Sequence, residues 1–332
     1  MAIIHVGQTR LFGAEFDEVA AMHELRQELA ASRAPFETLP SDIDDIKVLR
    51  ISQFTGSLFP SPELSYIVTD TSTAQAQETL INNGVFDFSQ GAKVAGVAHL
   101  RPNLAIIHRG KLDSPRVTER LIVHELSHLN GITVAHPAKD GKGLEFGTSG
   151  LREVKTDGTE KNLSEEGWVQ ALAAGYDKLY YPGQQDETTR VGNLEVPSRY
   201  VDHPSQPNMV LISGIAAVAT ELLIHKKPSL AYAFSDAHSK LDPVHKSRLR
   251  YAVNGLAPEA DLYDRINSQP TDAKGCLRIL DIVTREVYPD GDIPHHEEIG
   301  VESQRFLKDK IERHTDQSTL GRFRRWVERN LS

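Results

Sequence analysis

The sequence predicts an α+β fold, with a mixed β-sheet upper lobe, one motif-bearing helix at the seam and an α-helical lower lobe. Three observations carry this expectation. Four short β-like runs fall between Lys47 and Arg109, an apolar-striped segment with both helix-end signals follows at Ser114 to Gly131, and beyond Asn162 the pattern is almost wholly helical. At 332 residues and 39% hydrophobic content, the chain is long enough to bury one large core or two smaller ones. The division falls at the end of the motif helix: residues 1–131 make the upper lobe, and residues 132–332 a loop or hairpin followed by the lower lobe.

In chain order, a helix from about Phe16 to Ala31 comes first. The β-like runs then cover Lys47 to Phe54, Glu63 to Thr69, Lys93 to His99 and Leu104 to Arg109. A helix interrupts them, opening near Thr71-Ser72 and closing at Asn83-Gly84. Arg101-Pro102-Asn103 is a turn, so the last two runs form a hairpin just before the motif helix. That helix has Ser114 to cap it, Pro115 at the first helical position, an apolar stripe of Val117, Leu121 and Ile122, and Asn130-Gly131 to stop it. Between Gly131 and Asn162, the turn signals Asp140-Gly-Lys-Gly143 and Asp157-Gly158 predict a long loop or hairpin. The longest apolar run, Met209 to Ile224, is too short to span a bilayer and carries Ser213, Thr220 and Glu221, so it reads as a buried helix. Asp242-Pro243 opens a further helix that Gly255 closes, and helical stretches continue to Leu331.

The motif itself is His124-Glu-Leu-Ser-His128, the HExxH arrangement. Residues four apart on a helix point the same way, so the imidazoles of His124 and His128 can bind one small cation, Zn²⁺ by this pattern. Glu125 then stands beside the metal as a general base that takes a proton from an activated water. His23-Glu-Leu-Arg-Gln27 lacks the second His and reads as an exposed helix segment.

Composition excludes other classes. A net charge of −9 and a sequence pI near 5.9 argue against a nucleic-acid partner. Arg322-Phe-Arg-Arg325 reads as a solvated helix face. The single Cys, Cys276, permits no internal disulfide and reads as a buried small apolar residue. With no cationic start followed by an apolar block at the N-terminus, a cytoplasmic location without a membrane partner is expected. No phosphate-binding loop, dinucleotide fingerprint or nucleophile elbow is present.

A catalytic zinc takes three protein ligands and keeps one open position, so the two His need a companion. The candidates are the adjacent Glu165 and Glu166 at the start of the helix after Asn162, His136, and His99 or His108 on the hairpin. At this point the chain resembles the gluzincin metallopeptidases, the thermolysin-like branch of the zincins, and especially its compact members. Their HExxH is followed, after a variable loop, by a helix reading roughly Leu-x-Glu-Gly-x-x-Glu-x-Leu, and Glu166-Gly-Trp-Val-Gln-Ala-Leu-Ala173 is similar to it. The resemblance spans residues 45–180 in pattern and is strong only in the two helices. It implies a zincin-like fold, zinc-dependent hydrolysis of a peptide or protein substrate, and Glu166 as third ligand. Glu165 stays open as the alternative, because Leu163-Ser-Glu165 also matches the start of the pattern; a reciprocal capping role with Asn162 would occupy it otherwise. The resemblance also implies that Leu104-Ala-Ile-Ile-His-Arg109 is the edge strand that binds substrate backbone, with His108 in a surface role. An oxyanion donor would come from Tyr176, Tyr200, His203, Tyr232 or His238, with Tyr176 the weakest on distance along its helix.

The rival pattern is that of the metzincins, which place a third His three residues after the Gly. Val134 holds that position here, His136 comes two residues late, and Met209 lacks the context of a Met-turn. His295-His-Glu-Glu298 looks metal-like but reads as solvated, since adjacent residues on a helix face different ways. A latent or catalytically silent metal-binding protein is the alternative to an active peptidase.

Overall fold

The computed structural model describes residues 2–6, 9–13, 45–58, 66–69, 96–99, 104–108, 114–131, 133–137, 144–151, 153–154, 160–161, 163–182, 187–203, 206–240, 243–270 and 272–317. The expected helices at 16–31 and 71–84 lie outside these residues, as do His23 and the Arg322–Arg325 segment.

The chain opens with a hairpin that the sequence reading did not anticipate, β1 (Ala2–Val6) and β2 (Thr9–Gly13). The next element corrects an expectation. Residues Lys47 to Phe54 form no strand; they lie within helix α1 (Asp45–Leu58), which buries Ile51, Phe54 and Leu58 on one side. The spacing 51, 54, 55, 58 is helical, and the β-branched residues that suggested a strand are simply tolerated by that packing. Three strands follow as expected, β3 (Tyr66–Thr69), β4 (Gly96–His99) and β5 (Leu104–His108). β4 and β5 pair antiparallel across the Arg101-Pro-Asn103 segment. β5 also pairs in parallel with β3, so the strand order is β3-β5-β4. The expected edge strand is therefore central: both of its backbone edges are taken, and β3 and β4 are the edge strands of this sheet.

Helix α2 (Pro115–Asn130) carries the motif and packs on β4 and β5. Ser114 caps it, its side chain accepting from Val117 N at 3.3 Å. Gly131 ends it in extended backbone, and its small size matters for space: a Cβ there would meet Gly150 Cα at 2.9 Å. The segment after the helix forms two hairpins, β6 (Thr133–Pro137) with β7 (Leu144–Ser149), and β8 (Glu153–Val154) with β9 (Glu160–Lys161). Both turn signals fall between paired strands. β6 also pairs in parallel with β2, so a four-stranded sheet joins strands from both sides of residue 131.

Helix α3 (Leu163–Tyr180) lies against α2. Two small hairpins follow: β10 (Thr188–Val191) with β11 (Leu194–Pro197), then, after the short helix α4 (Ser198–Val201), β12 (Asp202–His203) with β13 (Gln206–Val210). The remaining described chain is helical: α5 (Ile212–Lys226), α6 (Leu230–Ser239), α7 (Pro243–Asn254), α8 (Leu262–Asn267), α9 (Ala273–Val287) and α10 (Val301–Gln317). α5 is buried from Gly214 to Ile224, as its apolar run predicts, and Cys276 is buried. The architecture is α+β and mostly helical. No helix among the described residues is long and apolar enough to cross a membrane.

The core is centred on α3. Trp168 stacks on Phe234 with ring centroids 5.6 Å apart and touches Phe306 at 5.9 Å, while Tyr176 meets Phe54 edge-on at 5.0 Å. Gly167 lets α3 approach α5 closely, since a Cβ there would stand 2.6 Å from Thr220 Oγ1 and 2.7 Å from Ala216 O. On the other side, the Glu119 carboxylate of α2 accepts from Arg50 of α1 and from the hydroxyls of Tyr176 (2.6 Å) and Tyr181 (2.8 Å). Arg116 grips Asp177 with two guanidinium nitrogens. These pairs fix α2 on α3, and that spacing positions the site.

Candidate metal centre

His124 and His128, one turn apart on α2, turn toward the first turn of α3. Their rings sit edge-on with centroids 4.9 Å apart. His124 Nε2 is 3.8 Å from Glu166 Oε2, and His128 Nε2 is 3.6 Å from Glu166 Oε1. One ligand atom from each of the three residues lies within 4.8 Å of the others. The two distances end on different Glu166 oxygens, so the carboxylate faces both imidazoles, a donor set that suits a divalent transition metal. The three sequence-predicted ligands are thus brought together as a group able to hold a metal ion, with Glu125 buried beside it.

The two adjacent glutamates have opposite tasks. Successive helix residues point about 100° apart, so Glu165 and Glu166 reach different sides of the same imidazole. Glu166 faces His128 Nε2, while Glu165 Oε1 lies 3.3 Å from His128 Nδ1. Glu165 is fully buried. It also meets His238 Nε2 at 3.1 Å and accepts from Leu151 N at 2.7 Å. These partners engage both carboxylate oxygens on the side of His128 away from Glu166; Asn162, the expected capping partner, lies outside the described residues. A carboxylate on Nδ1 fixes the tautomer that leaves Nε2 free to ligate.

Gly150 makes room for this arrangement. Its φ is +52°, and a Cβ would run into the Glu165 carboxylate and stand 2.8 Å from His238 Cδ2. Gln170, one turn past Glu166, donates from Nε2 to Tyr200 O at 3.0 Å.

The protein's own charges divide the site. Burial and the neighbouring His128 push His124 down to about 4. Burial works against charge on His128 too, but Glu166 and Glu165 outweigh it and raise the ring to about 10. Burial pushes Glu125 up to about 7, with His128 opposing and Glu166 adding to the rise. Burial would also raise Glu165, yet His238 and His128 hold it well below the usual carboxylate range.

His99, His108 and His136 lie on β4, β5 and β6, with side chains outside the described residues, as does that of His203. Four of the five oxyanion candidates are engaged elsewhere. The Tyr176 hydroxyl donates to Glu119, Tyr200 donates to Glu221 at 3.1 Å, exposed Tyr232 donates to Asp309 at 2.6 Å, and His238 is bound to Glu165. His238, expected as a possible oxyanion donor, is instead the partner of Glu165, and Gly150 was not among the expected site residues. Nothing local to Ser235-Asp-Ala-His-Ser239 marks this role of His238, because its partner is 73 residues away.

Comparison with known proteins finds no matching family model, no similar curated protein and no similar solved structure. The functional reading therefore rests on the chemistry of the site.

Proposed function

We propose that the protein is a zinc-dependent metallopeptidase of gluzincin type, with the zincin-like arrangement that its two motif helices suggest. The observation that carries the proposal is the assembly of His124, His128 and Glu166 into one ligand group with the Glu165 carboxylate behind His128. Imidazole and carboxylate donors in a three-residue set suit zinc with an open position.

When bound, zinc supplies Lewis-acid activation of a water and of the scissile carbonyl. The chain's own residues do the rest. His124 and His128 enter through Nε2, with His128 oriented by Glu165. Glu125, buried and raised toward neutrality, is suited to take the proton of the attacking water and return it to the leaving amine. Of the two edge strands of this sheet, β3 and β4, β4 packs against the motif helix and is the one suited to receive a substrate backbone.

Elemental analysis of the untagged chain and of His128→Ala and Glu166→Ala tests the centre, and cleavage of a peptide library by wild type and Glu125→Gln tests the chemistry. About one zinc per chain, lost in both ligand variants, with cleavage abolished in Glu125→Gln, is the expected result. Zinc retained without any cleavage would favour the silent metal-binding alternative, and no uptake of supplied zinc would overturn the reading.

A further inference from the structure

The segment His295-His-Glu-Glu298 was expected to be solvated on the ground that neighbours on a helix diverge. It is not helical: residues 292–295 have no regular secondary structure and 296–300 form a turn before α10. The turn brings the side chains together. The imidazoles of His295 and His296 have centroids 4.0 Å apart and planes inclined by 47°. Ligand atoms of His295, His296 and Glu297 all lie within 4.8 Å of one another.

The backbone beneath them is fixed. Glu298 closes the turn on itself, its carboxylate accepting from His295 N at 2.9 Å and its N–H donating to His295 O at 2.8 Å. Pro294 on one side and Ile299 on the other are buried. Gly300, at φ +86°, lies against the Tyr200 hydroxyl so tightly that a Cβ would collide with it. The three donors thus stand on a turn whose two ends are anchored in the core. His296 Nδ1 is shielded from solvent and has no hydrogen-bond partner among the described residues.

We propose that His295, His296 and Glu297 form a second metal site, separate from the His124/His128/Glu166 group, that takes a divalent transition metal such as Zn²⁺. Two imidazoles with one carboxylate favour zinc, nickel or copper, whereas calcium and magnesium prefer oxygen donors. A metal held there would stabilise the folded turn before α10 by mass action as its concentration rises.

The test is equilibrium dialysis of the untagged full chain against micromolar free Zn²⁺, with elemental analysis of wild type, His295→Ala/His296→Ala and His124→Ala/His128→Ala. His295 and Glu297 are exposed and His296 is half-buried, so the 295/296 variant is expected to keep its far-ultraviolet circular dichroism. Glu297→Gln gives a milder check through weakened binding without loss of the rings. About two zinc ions in wild type and about one in each double variant would support the site. About one in wild type, none in the 295/296 variant and one in the 124/128 variant would also support it, while overturning the metallopeptidase centre. Equal zinc in wild type and the 295/296 variant would overturn this site and leave the first untouched.

Discussion

Glu165 and His238, drawn from helices α3 and α6, meet at 3.1 Å with both side chains sealed from solvent, and the same carboxylate oxygen faces the Nδ1 of His128. A chain of contacts thus runs from α6 to the ligand face of His128. Glu165→Gln, which keeps the shape and removes the charge, is expected to weaken zinc retention by about 10–100-fold. Competition against a chromophoric chelator measures this, and wild-type affinity in the variant would show that Glu165 does not orient the ring.

Glu125→Gln is expected to leave zinc content unchanged and to lower the rate of peptide cleavage by about 10²–10⁴-fold, the usual contribution of a positioned general base. Single-turnover rates on a cleaved library peptide read it. A variant that cleaves at the wild-type rate would assign proton transfer to another group.

Gly150→Ala should be costly for two reasons at once, a left-handed backbone and a Cβ driven into the Glu165 carboxylate. A loss of about 1–3 kcal/mol is expected from the backbone alone, together with weaker zinc binding. Urea denaturation with and without added zinc separates the two effects. The same replacement at Gly192, also at positive φ but with open space around its Cβ position, should show the backbone cost alone.

Glu221 gives stability a pH dependence away from the metal centre. Burial raises its carboxyl to about 7, with Ser303, Tyr200 and Arg199 opposing. Because the folded pKa lies above the unfolded value of 4.5, the native state holds the proton more tightly. The contribution is full below about pH 4.5 and is lost as pH rises through about 7. The shift corresponds to on the order of 3 kcal/mol. Glu221→Gln should remove this slope, so that the variant gains on wild type between pH 5 and pH 8 in denaturant titrations. Parallel pH profiles would show that Glu221 does not carry it.

The parts of the site legible in the sequence are those written at helical spacing. His124, Glu125 and His128 follow from the four-residue spacing, while Glu166 rests on the resemblance of the segment from Glu166 to Ala173 to the gluzincin helix. The respective roles of Glu165 and Glu166 needed coordinates, since sequence gives two carboxylates and only the facing of α3 separates them. His238 could be read only as one of several oxyanion candidates, because its contact with Glu165 is wholly tertiary. The fold shows the same limit. Capped α2, buried α5 and α7 between Asp242-Pro243 and Gly255 could be read from end signals and apolar runs. In contrast, α1 was misread as a strand because its residues satisfy either period over a short window. The central position of β5 depends on its parallel pairing with β3, which no local pattern encodes.

The two helices that bear the proposed ligands are docked by groups that need no ion. Arg116 with Asp177, and Glu119 with Arg50, Tyr176 and Tyr181, hold α2 against α3, while Gly167 seats α3 on α5. The ordering of the ligand set is therefore accomplished during folding and not at the moment of metal uptake. In small zinc-dependent domains the two events are one, and a chelator unfolds the chain. Here they are separable: a chelator would empty the centre and leave a folded protein, ready to be reloaded with a different ion.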